Sequence, residues 1–443
     1  MNVTLLLVLL VVFSYGVGHL VARYASRFLV FSGAEYLLVG LLVGPQVAPR
    51  LLSAEQLAQL APLVSLLLGL VGFIFGTRAS RDLRRLDATI AGVVSSLGVI
   101  VLVAAAVITL AGALMPGDPA SAGFVLQAVL FERSDWQLEI YATSHQLWLG
   151  VALGCAAAVS STTSIELTAR LLRARGRTLQ FLSVCAAASQ ITAVIVYGLT
   201  LAAARGTEPE ARFGLGVMEW AVTEAGAGVV CGLLFSLFIG RESDPARTFL
   251  AAIGCVIFAS GLASALGISP LFVNLVAGAV VAGTSPHRSQ LTDELSRLRH
   301  PIFVLVMIFA GALWIPAEGI LWLFPLVYMV VRFIARRALT AISERLFLEH
   351  PLRSVRPGDG LLGQGTLAAA IGVSYAHRFP EHAPVALTTV LLATLLFDAL
   401  SVRGIRRVLV DAGEVGVLSE EEAERHSIEL SPTPPPAQPE GSP

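Results

Sequence analysis

Lysine is absent from this chain of 443 residues, and charged residues of all kinds make up only 14% of it, against 55% hydrophobic. The formal net charge of -1 by itself says nothing about nucleic acid; the positive charge is divided among loops instead of gathered in one basic patch, so no nucleic-acid partner is expected. Cysteine is scarce too. Cys155, Cys185, Cys231 and Cys255 show no CxxC or His-rich spacing and fall in apolar stretches, which reads as small buried hydrophobes with no metal site. There is no nucleophile triad, metal cluster or phosphate loop, so the sequence predicts neither an enzyme nor a bound cofactor.

What the chain has instead is long apolar runs. About twenty such residues span the roughly 30 Å of a bilayer's hydrocarbon, and thirteen stretches qualify: 2–22, 28–44, 58–77, 88–115, 146–174, 178–204, 213–239, 247–267, 269–285, 301–316, 318–345, 359–377 and 384–406. The arginines divide between alternate loops. With the N-terminus outside, 23 fall on inner connections, including Arg78, Arg81, Arg84 and Arg85, then Arg170, Arg173, Arg175 and Arg177, and only Arg50, Arg133, Arg205, Arg212 and Arg378 fall outside. Such a bias predicts a multi-pass protein of the cell (inner) membrane with a cytoplasmic C-terminus. Residues 407–443 turn acidic (Glu420, Glu421, Glu422, Glu424) and then proline-rich, which predicts a disordered cytoplasmic tail. In the outer loop 116–147, Phe124 to Phe131 predicts a short amphipathic helix on the membrane surface.

The chain also echoes itself. Tyr36-Leu-Leu-Val-Gly-Leu-Leu-Val-Gly-Pro45 in span two has a loose counterpart in Asn274-Leu-Val-Ala-Gly-Ala-Val-Val-Ala-Gly-Thr284 in span nine. An offset of seven spans turns one copy upside down. The fold expected is therefore an all-α polytopic membrane protein of about 13 transmembrane helices, in which spans one to six and eight to thirteen form two inverted six-helix repeats. Spans five and twelve carry helix-disfavouring stretches at matching places, Ser160-Ser-Thr-Thr-Ser164 and Gly360-Leu-Leu-Gly-Gln-Gly-Thr366. Broken helices are tolerated in a membrane where their freed backbone groups line a polar cavity, so the two should cross near the midplane, with Ser161, Thr162, Thr163, Gln364 and Thr366 as candidate ion ligands. Small residues placed only for helix packing would explain each motif singly.

With these motifs, and with Ser269 to Ser285 followed by His300-Pro-Ile-Phe-Val-Leu-Val-Met-Ile-Phe-Ala-Gly311, the sequence resembles the monovalent cation:proton antiporter superfamily, in particular its Kef-type branch with the sodium/proton exchanger fold. The likeness covers nearly all of residues 1–406 as one transmembrane transporter domain. It implies a dimerisation part (1–85 and 247–316), a mobile core (88–204 and 318–406), a linker helix (213–239), a homodimer in the lipid bilayer, and exchange of Na⁺ or K⁺ for protons. In span six the resemblance calls for an Asn-Asp or Asp-Asp pair, and this chain reads Ala186-Ala-Ala-Ser189-Gln190-Ile-Thr192. Ser189 and Gln190 can coordinate an ion but cannot titrate.

Two other residues stand out at depth. Glu224, about eleven residues into span seven, is a candidate coupling acid by its position, or else a partner of Arg332 or of a water pocket. Arg332 in span eleven occupies the place where the resemblance implies a core-domain cation, pairing with a carboxylate or holding the crossed half-helices through their C-terminal carbonyls. A snorkelling arginine beside Arg336 and Arg337 is the alternative. Glu35, Glu166 and Glu219 read as rim residues, and Asp398 reads as an ion-pair or cap residue near the inner end of span thirteen. A proton-uncoupled carrier, for an anion if Arg332 is unbalanced, and a transport-inactive membrane sensor both remain open.

Overall fold

The computed structural model describes residues 34–46, 54–82, 85–114, 124–127, 139–142, 144–206, 215–239, 245–284, 288–349, 352 and 356–416. Expected span one and the tail from 417 onward lie outside the described residues. Among those described, the chain forms α1 (Ala34–Val43), α2 (Ala54–Gln59), α3 (Ala61–Asp82), α4 (Leu86–Leu114), α5 (Ser144–Ala158), α6 (Thr162–Leu172) and α7 (Arg177–Gly206). There follow α8 (Val217–Ile239), α9 (Pro245–Leu266), α10 (Pro270–Thr284), α11 (Arg288–Arg297), α12 (Arg299–Leu313), α13 (Leu323–Phe347), α14 (Gly365–Arg378) and α15 (Ala383–Asp411). Spans two to thirteen each coincide, over their described residues, with a helix or an interrupted helix.

Eight of these segments are long and apolar enough to cross a membrane, or nine with the pair Leu291–Arg297 and Arg299–Leu313, bent by 44°, taken as one. Helix is what such sequences must form in hydrocarbon, where each backbone N–H and C=O needs a partner within its own segment. The outward faces confirm the solvent. Leu86, Val101, Leu250, Phe258, Leu326, Val330 and Ile334 are exposed by 51–73%, a distribution that suits lipid and would expose a large apolar patch in water. Inside, runs of small side chains are interleaved with the larger ones: Ala156, Ala157, Ala158, Ala186, Ala193, Ala368, Ala369 and Ala370 allow helices to approach closely.

Two close approaches depend on glycine. On α1 a Cβ at Gly40 would stand 2.0 Å from the Ile308 carbonyl oxygen of α12, and one at Gly311 would stand 2.2 Å from that of Leu37. On α3 a Cβ at Gly72 would meet the Leu271 carbonyl of α10 at 2.1 Å, and one at Gly278 would meet that of Phe73 at 2.4 Å. Each obstacle is backbone and cannot rotate away. Gly311→Leu is therefore expected to destabilise the protein by at least about 1–3 kcal/mol, read as lower melting in detergent beside an unchanged Gly254→Ala control, whose Cβ would meet nothing within 4 Å.

One expectation fails. Phe124 to Phe131 was to be an amphipathic helix, but Phe124–Gln127 is a strand, β1, paired antiparallel with β2 (Glu139–Ala142), Phe124 opposite Ala142. Phe, Val, Ile and Tyr in these segments favour extended backbone, and the partner strand satisfies its hydrogen bonds; residues 128–138 lie outside the described residues.

The segment after α15 closes back on the bundle. Glu414 accepts hydrogen bonds from Thr178 N (2.6 Å) and Leu179 N (2.9 Å), satisfying free donors of α7's first turn, and Gly416 N donates to Leu172 O at the end of α6 (3.2 Å). The helix carrying Ser189 and Gln190 is thus anchored at its start.

Candidate functional site

Span five breaks where the serines begin. α5 ends at Ala158, residues 159–161 are outside any helix, and Ser161, with extended backbone, caps α6, its hydroxyl accepting from Ser164 N at 3.2 Å. Span twelve breaks in the same way: a 3-10 turn at Pro357–Leu361, three residues without helix, then α14 from Gly365. The two breaks cross in contact, with Ser161 N donating to Gly363 O at 2.8 Å. Gly365 has φ +67°, and a Cβ there would lie 2.9 Å from Ser161 Oγ, so both the backbone turn and the close approach require glycine.

A broken helix leaves carbonyls unpaired at one end and N–H groups at the other, and here each set meets charge. Arg332, fully buried on α13, donates from Nε to Ala157 O (3.0 Å) and from Nη2 to Val159 O (3.1 Å), and its guanidinium lies 4.4 Å over the Phe397 ring. Arg336, one turn on and 1% exposed, donates to Ala158 O and, at 2.5 Å, to Ser160 Oγ. Two cations therefore hold the negative end of α5. At the positive end of α14 the carboxylate of Asp398 accepts from Gln364 N (2.7 Å) and Gly365 N (3.0 and 3.2 Å). Gln364 ties the two ends together, its amide nitrogen donating to Ala156 O (3.0 Å) and bonding Tyr328 Oη (2.8 Å). The 3-10 turn is fixed from beside by the Arg337–Asp359 ion pair, 2.7 Å.

Ser160 is the hub. Its N–H donates to Ser189 Oγ (3.1 Å), its carbonyl accepts from Gln190 Nε2 (2.7 Å), and its hydroxyl donates to Leu361 O (2.8 Å). On the far side of Gln190 a small cleft opens between α3 and the α6–α7 pair, lined by Phe75, Arg78, Ala79, Thr162, Ala187, Gln190 and Ile191, with room for about one water molecule. At its rim Glu166 on α6 is held between Arg78 (3.4 Å) and Arg299 (3.3 Å), while Arg299 also donates to Thr163 Oγ1 (2.6 Å).

Of the residues singled out from sequence, Ser161, Thr162, Thr163, Ser189, Gln190, Arg332 and Gln364 gather at the crossing or its cleft. Thr366 sits in the first turn of α14, half-buried. Glu224 is elsewhere. Fully buried on α8, it accepts from Ser269 N (2.8 Å) at the head of α10, and its second oxygen has no hydrogen-bond partner. The pairing of Glu224 with Arg332 is not formed: Glu224 accepts from Ser269 N, and Arg332 donates to Ala157 O and Val159 O. Nor does Arg332 snorkel to an interface in company with Arg336 and Arg337, the alternative the sequence left open: it is fully buried at the break, as is Arg336. Asp398 is a cap, but at the crossing and not near the inner end of its span, since α15 runs to Asp411 and places residue 398 midway. Ser160 and Arg336 were available to sequence reasoning: the first opens the polar break, and the second shares a helix face with Arg332 at i, i+4.

Apart from the β1–β2 hairpin, the described residues form a helical membrane bundle with two interrupted helices crossed in contact, an arrangement the chain shares with a sodium proton antiporter of known structure. No protein-family model matches the sequence, and no curated protein matches it. Among solved structures the chain is similar to the sodium proton antiporter MjNhaP1 from Methanocaldococcus jannaschii, in a structure at pH 8 and in an electron-microscopy map. In both the TM-score is 0.59, with 14% and 16% identity, over 97% of this chain and 99% of that one. At such identity the likeness is one of fold.

Proposed function

We propose that the protein is a secondary transporter that exchanges a monovalent cation, Na⁺ or K⁺, for protons by alternating access, with a coupling site rebuilt for the missing span-six carboxylate. The observation that carries this reading is the crossing itself: two half-helix ends neutralised by Arg332, Arg336 and Asp398, beside a cleft where Gln190 and Thr162 offer uncharged oxygens to an ion. A neighbour of the same fold named as a sodium proton antiporter supports it. Residues 1–85 and 247–316 would form the dimerisation part of a homodimer, 88–204 and 318–406 the moving core, and 213–239 the linker, in the inner membrane with the N-terminus outside and the C-terminus in the cytoplasm. The arginine bias supports that orientation.

Support for the inverted repeat comes from the glycine contacts. Under the seven-span offset, span two on ten (Gly40, Gly311) becomes span nine on three (Gly278, Gly72), and both pairs pack through glycine on backbone. The cleft lies between α3 of the dimerisation part and α6 and α7 of the core, the boundary that an elevator motion would slide. Glu224, with one oxygen unpartnered at the junction of α8 and α10, is the acid through which protons would reach the core.

A second reading is favoured by charge. Arg78, Arg299, Arg332 and Arg336 outnumber Glu166 and Asp398 around the cleft and crossing, and that excess suits an anion or an uncoupled carrier better than a cation. Reconstitution in proteoliposomes under an imposed pH gradient separates the readings. Antiport gives proton movement that depends on Na⁺ or K⁺ and is lost in Glu224→Ala. The uncoupled carrier gives ion flux without proton movement. A transport-inactive sensor gives neither, and either of those two results overturns antiport.

A further inference from the structure

We infer that Asp398 is the carboxyl that exchanges the proton at the crossing, its place in the inverted half standing in for the acid missing from span six. The inference rests on the antiport reading proposed above.

Asp398 is the one carboxylate among the described residues that is hydrogen-bonded to the backbone of either break. It is 5% exposed and sits at the centre of α15. Seven spans relate span six to thirteen and five to twelve. Ser189 and Gln190 brace the first break at Ser160 from span six; Asp398 braces the second at Gln364 and Gly365 from span thirteen. The two bracing positions are equivalent, and only the second bears an acid.

The geometry links protonation to the core's shape. As a carboxylate, Asp398 accepts all three N–H contacts and offsets the positive end of α14. A proton turns one of its oxygens into a donor with no acceptor among those N–H groups, and removes the charge, so the α14 cap loosens. Beside it, Gln364 Oε1 is buried without a hydrogen-bond partner, while the same side chain's nitrogen grips Ala156 O and Tyr328 Oη. A monovalent cation drawn to the carboxylate adds positive charge where the proton would sit, so the two compete: the protonated acid plus cation gives the cation carboxylate plus a proton released to water. Arg332 from α13 is the charged group whose field reaches Asp398, while Arg336 is held on Ala158 O and Ser160 Oγ and Arg337 on Asp359. Glu166 on α6 is turned away to Arg78 and Arg299. None of these can replace its oxygens at the α14 N–H groups.

The test is the full chain in proteoliposomes with Na⁺ and with K⁺. Asp398→Asn keeps an oxygen for the N–H groups but cannot take a proton. Cation-driven proton movement should fall at least about tenfold while thermal melting in detergent stays near that of the wild type; movement within about twofold of wild type overturns the inference. If Asp398→Asn does not fold, Asp398→Glu serves: the longer stem should displace the pH of half-maximal exchange, and an unmoved profile overturns the proposal. If the wild type exchanges neither cation, the antiport reading has failed on its own account. An infrared titration then decides for Asp398: a protonated carboxyl band that titrates in wild type and is missing from Asp398→Asn supports it, and an identical spectrum in both overturns it.

Discussion

Arg332→Ala is expected to destabilise the fold by about 2–6 kcal/mol, because two buried acceptors are left without donors at about 1–3 kcal/mol each. Two carbonyls, those of Ala157 and Val159, would lose their donors in a place that is fully buried. Arg336 cannot take both, since it already serves Ala158 O and Ser160 Oγ. Arg332→Lys keeps the charge but replaces a planar fork with a single ammonium that cannot reach two carbonyls from the same geometry and loses the stacking on Phe397. Its loss should fall between wild type and alanine. Arg336→Ala should be nearly as severe, and the double variant less severe than the sum, because both side chains hold the same stretch of backbone. Chemical denaturation in detergent measures all four; Arg332→Ala within about 1 kcal/mol of wild type would show that α5 does not need a cation at its end.

How far the sequence disclosed this arrangement differs from element to element. Spans were legible because hydrocarbon imposes one length and one composition on every crossing, and the breaks were legible because Ser160 to Ser164 and Gly360 to Thr366 are poor continuous helix in lipid. Arg332 was legible as a buried cation for the same reason that a charge at that depth is costly. Depth along a helix was less so. Asp398 was counted from a span ending at 406, and five further residues of helix, to Asp411, move it from the rim to the middle. The linkage of Glu166 to Arg78 and Arg299 joins positions 88 and 133 residues apart, and no local pattern encodes such a contact. The strand at Phe124–Gln127 illustrates the same limit: three apolar residues and a glutamine suit a helix face or a hairpin equally, and the partner at 139–142 decides.

Gln190→Asp is the second large effect, and its outcome depends on what surrounds residue 190. The amide nitrogen now donates to Ser160 O. A carboxylate there would bring one acceptor against another, a repulsion relieved only by a proton or a cation shared between them. The shorter aspartate leaves space on the side of the cleft lined by Thr162, Ala187 and Ile191, where an ion would be coordinated by its carboxylate and the Thr162 hydroxyl. Arg336, hydrogen-bonded to Ser160 Oγ at 2.5 Å, would favour the charged form and keep the new acid from being permanently neutral. Cation-driven proton movement should therefore rise in Gln190→Asp. In the Asp398→Asn background the same change should restore it, because an acid would then stand on span six at the bracing place equivalent to the one left vacant on span thirteen. A Gln190→Asp protein that folds, transports no better and rescues nothing would show that residue 190 does not face the ion, and with that the register assigned between the two halves would fall.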